Sequence, residues 1–271
     1  MKTRNIVILL FCALLCAPLW GQSPAGFSKI TTPPDSLHLS SFYTKYLNVN
    51  GIHIISSHKV PDSALYAAGR TIEAMTRMLP PKVLKAMTSI NTRIGVMGRY
   101  EGTTDIPEHA YLAQDTAINW NLRARGLGGT LYLPLTTCAE ENVLGYQIDK
   151  YHAEDILIHE FAHSIELIGI AQVDPSIQKE LKDALEAARA SGKWLNTYAG
   201  SNPEEYWAEG VQDWFNVNAE VEQVNGVHNR VNTREELKRY DPVLYGIIAR
   251  YFPDTPEQIS CHKKINLYNQ E

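Results

Sequence analysis

Residues 155–164 read DILIHEFAHS, an apolar run broken by His159, Glu160 and His163. Burying two imidazoles and a carboxylate among isoleucine, leucine and phenylalanine is costly unless something compensates them. On a helix, residues four apart share a face, so His159 and His163 point the same way and can grip one cation. Glu160, one residue round, then reaches a water held at that cation. Ile156, Leu157, Ile158, Phe161 and Ala162 place this helix in a core, where the site is dry and rigid.

The spacing is the HExxH pattern of zinc hydrolases. It predicts His159 and His163 as metal ligands, Glu160 as catalytic base and Zn2+ as cofactor. A catalytic zinc keeps three protein ligands and one open position. The metzincin extension is excluded, because Glu166 and Gly169 stand where it needs glycine and histidine. The third ligand therefore comes from elsewhere, and NTYAGSNPEEYWAEGVQDWF (196–215) is the best source. Glu205, Glu209 and Asp213 recur every fourth residue, on one helix face, with Asn202 and Pro203 at its start. Like charges stacked this way repel unless something positive faces them. Tyr206, Trp207, Val211, Trp214 and Phe215 make the same helix largely apolar, so a ligand with supporting carboxylates fits better than a solvated acidic face.

HEFAH followed by YAGSNPEEYWAEG resembles the zinc-protease domain of anthrax lethal factor and its relatives. The resemblance covers roughly 85–217 and is specific around 159–163 and 198–209. It implies Glu205 as third zinc ligand and Glu209 as a carboxylate orienting a ligand histidine. It implies Tyr198 as the phenol that faces the developing oxyanion. The block 99–150 departs from that toxin, and its partner-binding domains have no counterpart here.

The N-terminus reads as a secretory signal: MKTRN is charged, IVILLFCALLCAPLW is apolar and GQSPAG is small and polar. The apolar run is short for a full span and no stop-transfer pattern follows, so no stable membrane anchor is expected after cleavage. The expected divisions are a signal peptide (1–21), an N-terminal segment (22–60) and a zincin-like domain (61–271), secreted or periplasmic. Once Cys12 and Cys16 leave with the signal, Cys138 and Cys261 remain, and an exported protein with an even count invites a disulfide. The formal charge is -5, with 30 acidic against 25 basic residues. No basic cluster appears, which argues against a nucleic-acid partner.

Strands are expected at 51–57, 92–98 and 130–135, the last as an edge that pairs with extended substrate. Helices are expected from Asp62 to a stop at Pro80–Pro81, at 153–169, 174–191 and 203–217, and as a pair within 233–252. Thr233 with Glu236 reads as a capping box. His109 and His152 read as a loop residue and a capping or surface residue. A few strands followed by mostly helices predicts an α+β, zincin-like fold. It would have a small mixed sheet, an active-site helix and a mostly helical C-terminal lobe. The function expected is a zinc metallopeptidase of the gluzincin type acting on a peptide or protein substrate. The alternatives are a non-proteolytic zinc hydrolase and a zinc-binding interaction protein.

Overall fold

Asn50–Gly51 turns two short strands back on each other. Both residues have positive φ (52° and 86°), as a two-residue hairpin turn needs. Lys45–Val49 (β1) thereby pairs antiparallel with Ile52–Ser56 (β2). The computed structural model describes residues 26–151 and 153–252. The expected signal peptide, His152 and Cys261 lie outside the described residues, and with Cys261 the expected disulfide; Cys138 is fully buried.

Asp62–Thr76 (α1) and Pro81–Ser89 (α2) follow the hairpin. Pro81 sits at the first helical position, where a missing N–H costs nothing, so the prolines that stop one helix also start another. Then come Arg93–Met97 (β3), Trp120–Arg123 (α3), Gly126–Leu127 (β4), Leu135–Ala139 (β5) and Glu140–Val143 (α4). The sheet order is β1-β2-β3-β5-β4. β2, β3 and β5 run parallel, whereas β1 and β4 are antiparallel edges. Residues 45–56, set ahead of the domain in the expected division, thus supply two of the five strands.

The strand expected at 130–135 is corrected. Thr130–Leu133 is a tight turn: the Thr130 N–H donates to the Leu133 carbonyl (2.8 Å) and the Leu133 N–H to Thr130 Oγ1 (3.1 Å). Pro134 offers no N–H to a ladder, so pairing resumes only at Leu135. β5 is interior, between β3 and β4, and the free edge belongs to Gly126–Leu127.

The remainder is helical: Ile156–Ser164 (α5), a π-helical turn at Ile165–Ile170, Ala171–Val173 (α6), Ser176–Ala190 (α7), Pro203–Trp214 (α8), Arg234–Tyr240 (α9) and Pro242–Ile248 (α10). The fold is α+β, with a small mixed sheet and a helical C-terminal part. Thr233 caps α9 and Asp241 caps α10. Asp241 also accepts from Trp194 Nε1 (2.8 Å) and the Tyr206 hydroxyl (2.6 Å), which ties α10 to α8. The run Ile156–Val173 is long and apolar enough to cross a membrane by composition, yet it lies mostly buried within the fold. α5 packs on β4 and β5 at one side and on α8 at the other. Phe161 is fully buried there, a site where truncation to alanine costs about 3–5 kcal/mol.

Candidate metal centre

Two capped helix starts bring the site together. Asp155 Oδ1 accepts the Ile158 N–H (3.0 Å), and Asn142 Oδ1 accepts the Ile156 N–H (2.8 Å), which fixes where α5 begins. Asn202 Oδ1 accepts the Glu205 N–H (2.8 Å) and Pro203 opens α8. The two helices are keyed by the Trp207 indole, which donates to the Ala162 carbonyl (2.8 Å).

His159 Nε2 and His163 Nε2 then stand 3.2 Å apart. Glu205 Oε2 lies 3.0 Å from the first and 3.4 Å from the second. Zinc bonds of about 2.0–2.1 Å in tetrahedral array would put ligand atoms roughly 3.4 Å apart, so these three donors fit around one such ion. Among the described residues, these three side chains are the group that could hold a metal ion.

The tautomer of His159 suits that role. Gln212 Nε2 donates to the Asp155 carbonyl (3.2 Å), which leaves Gln212 Oε1 to accept from His159 Nδ1–H at 2.9 Å. With the proton on Nδ1, the Nε2 lone pair faces the centre. Glu209, expected to orient a ligand histidine, stands 3.4 Å from the same Nδ1, so Gln212 is the nearer partner. Asp213 does not join the centre. It is fully buried and shares Asn218 Nδ2 with Glu209, each at 3.0 Å. Burial and the Glu209 charge push its carboxyl well above the usual range.

The histidines and glutamates of the centre shift one another. Burial alone would lower His159, yet hydrogen bonds to Glu205 and Glu209 hold it well above its usual value. Burial would raise Glu205, but hydrogen bonds and charges of His159 and His163 hold it well below the carboxylate range. Glu160 is raised, chiefly by burial, against the two histidines and a hydrogen bond from the Gly128 backbone.

Glycine lets β4 and its sequel lie against α5. A Cβ on Gly126 would fall 2.6 Å from Ile156 Cγ2; one on Gly128 would fall 3.1 Å from His163 Cβ and 3.5 Å from Glu160 Oε2. Tyr198 completes the group: its hydroxyl donates to Glu205 Oε1 (2.9 Å) and its N–H to the Val227 carbonyl (2.8 Å). Burial, with the Glu205 charge, raises its phenol. A cavity of about 370 Å³ opens over these residues, lined also by Leu127 and Tyr151.

The structure therefore brings His159, Glu160, His163, Tyr198 and Glu205 to one cavity, with Glu209 behind. His109 is buried in the 3-10 stretch Pro107–Gln114 and does not line that cavity. Sequence reasoning missed Gln212, although it lies seven residues after Glu205 and so returns to the same helix face.

No family model and no curated protein matches the sequence. Among solved structures the chain is similar to a Pro-Pro endopeptidase from Paenibacillus alvei, at 18% identity over 73% of this chain and 96% of that one, with a TM-score of 0.49. So distant a likeness has no bearing on the chemistry.

Proposed function

We propose that this chain is a zinc metallopeptidase of the gluzincin type, secreted or periplasmic. The observation that carries the reading is the convergence of His159, His163 and Glu205 beneath a cavity that Glu160 and Tyr198 also line. His159, His163 and Glu205 would hold zinc, with Gln212 and Glu209 holding the His159 ring. When bound there, zinc polarises a carbonyl and makes water more acidic. Glu160, turned toward Gly128 and raised by burial, takes a proton from the attacking water and returns it to the leaving amine. The Tyr198 hydroxyl shifts from Glu205 to the oxyanion that forms on the carbonyl, contributing about 3 kcal/mol to lowering the barrier. An extended peptide lies along the free edge of Gly126–Leu127, whose unpaired backbone groups hold its main chain. Among the described residues no fourth side chain joins the three, and an open position suits turnover better than a closed structural site.

The test is metal content and peptide hydrolysis on one preparation, beside Glu160→Gln. The expected outcome is about one zinc per chain in both proteins and turnover reduced about 10³-fold in the variant. Zinc without hydrolysis across a broad peptide library would sink the peptidase, and absence of zinc would sink the centre itself. Export rests on the N-terminal charge and apolar pattern; sequencing of the exported protein should find a start at about residue 22.

A further inference from the structure

Arg123 and Arg125 stand two apart in RAR (123–125) and are used differently. Arg125 is engaged on every side. It meets Glu141 through Nε (2.6 Å) and Nη2 (2.9 Å), and it also donates to the Gly98 and Glu101 carbonyls. Arg123 is exposed and lines the cavity over the metal centre. Among the described residues no carboxylate pairs with its guanidinium.

Its mounting is nevertheless fixed. Asn119 caps the short α3 helix through the Leu122 N–H (3.3 Å). Lys150 Nζ clamps the carbonyls of Leu122 (2.8 Å) and Arg123 (3.3 Å) from below. The Tyr151 hydroxyl adds a longer bond to the Arg123 carbonyl (3.4 Å). The charge also reaches inward. Burial raises the phenols of Tyr198 and Tyr151, and the Arg123 charge acts on both in the opposite direction. Arg123 and Tyr198 line the same cavity.

The charged groups that line the cavity divide cleanly. His159, His163 and Glu205 are committed to metal, and Glu160 to the proton. Arg123 is the only lysine or arginine among the lining residues. Apart from the zinc position itself, a peptide carboxylate entering here meets one cationic side chain without a ligand role, Arg123. A guanidinium presents a planar fork that matches a carboxylate through two parallel hydrogen bonds.

We propose that Arg123 is a specificity-determining residue that receives a carboxylate of the bound peptide, from an aspartate or glutamate side chain or from the chain's own C-terminus. The inference rests on the peptidase reading and narrows its substrate class to carboxylate-bearing peptides.

The experiment uses the zinc-loaded chain and four peptides sharing one cleavable core, itself chosen from a peptide library. One is neutral and amidated, one carries an internal glutamate, one has a free C-terminus without acidic side chains, and one carries lysine. Cleavage is measured for wild type, Arg123→Ala and Arg123→Glu, and binding for the same three on a Glu160→Gln background. Wild type should favour a carboxylate peptide over the neutral one about tenfold, an effect moderated by solvent at the rim. Arg123→Ala should erase that ratio, and Arg123→Glu should invert it toward lysine. Preference that follows the internal glutamate assigns a side chain; preference that follows the free terminus assigns the C-terminal carboxylate.

The same ratios in wild type and Arg123→Glu would overturn the proposal while leaving the peptidase intact. Arg123-dependent binding without cleavage by wild type would keep the anchor and overturn the peptidase. Neither binding preference nor cleavage would overturn both.

Discussion

The floor and the rim of the cleft are built by opposite means. The floor is the α5–α8 pair, where nearly every polar group has a named neighbour: His159 has Gln212 and Glu205, and Glu209 has Asn218. The rim is the stretch 99–134, made of 3-10 turns, one four-residue helix, the two-residue strand β4 and tight reversals, with Tyr132 wholly exposed and Tyr100 83% exposed. A buried polar group without a partner is costly, so the floor tolerates little change. The rim carries more exposed side chains, although distant groups also hold it, as Lys150 holds the Leu122 and Arg123 carbonyls. Under the proposed function, chemistry would belong to the floor and selectivity to the rim.

Changes in the floor should therefore act on metal and turnover, in decreasing order of effect. Glu205→Gln removes the carboxylate between the two imidazoles and should weaken zinc binding about 10³-fold, read by competition with a chelator. Turnover should vanish with the metal. Tyr198→Phe keeps the ring packing but loses the hydroxyl. It should lower kcat about 10²-fold while zinc content stays at the wild-type level. An equal loss of zinc would reduce Tyr198 to a support for Glu205.

Gln212→Leu leaves the Nδ1 proton of His159 without its closest acceptor. It should weaken zinc affinity about 10- to 100-fold with the fold retained by circular dichroism. An unchanged affinity would transfer the orienting role to Glu209. The smallest effect concerns the pair of His228 Nε2 and Glu154 Oε1, 3.0 Å apart. Burial would lower His228, but the hydrogen bond and charge of Glu154 raise it overall. A raised folded-state value gives stability that is full below the unfolded pKa, about 6.5, and is lost as pH rises through the folded value. Glu154→Gln should cost on the order of 1 kcal/mol at about pH 5.5 and much less at about pH 8.5, measured by chemical denaturation. A constant difference across that range would remove the pair from the pH dependence.

How much of this was legible follows the same divide. His159 and His163 are one helical turn apart, so their shared face is a local property of the sequence. The acidic stripe from Glu205 was legible for the same reason, and the resemblance narrowed it to one ligand. Gln212 was not, because it meets its histidine across 53 residues of chain and nothing in an apolar helix marks one amide. TLYLPL alternates like a strand, yet the Thr130 side chain and Pro134 close it into a turn. β1 carried its signal openly in Asn50–Gly51, where only the strand after the turn was expected. His109 lies in an irregular segment whose burial depends on distant packing.

A side chain at Gly126 would collide with Ile156 of α5, and one at Gly128 would press on His163. For a lineage, natural or engineered, that retunes this cleft, the result is an uneven freedom to vary. Randomised libraries should yield surviving diversity at rim positions such as Leu122 and Tyr132, both well exposed. The same libraries should return chiefly glycine at 126, and small residues at 128. The cleft can acquire new tastes, but its depth is inherited.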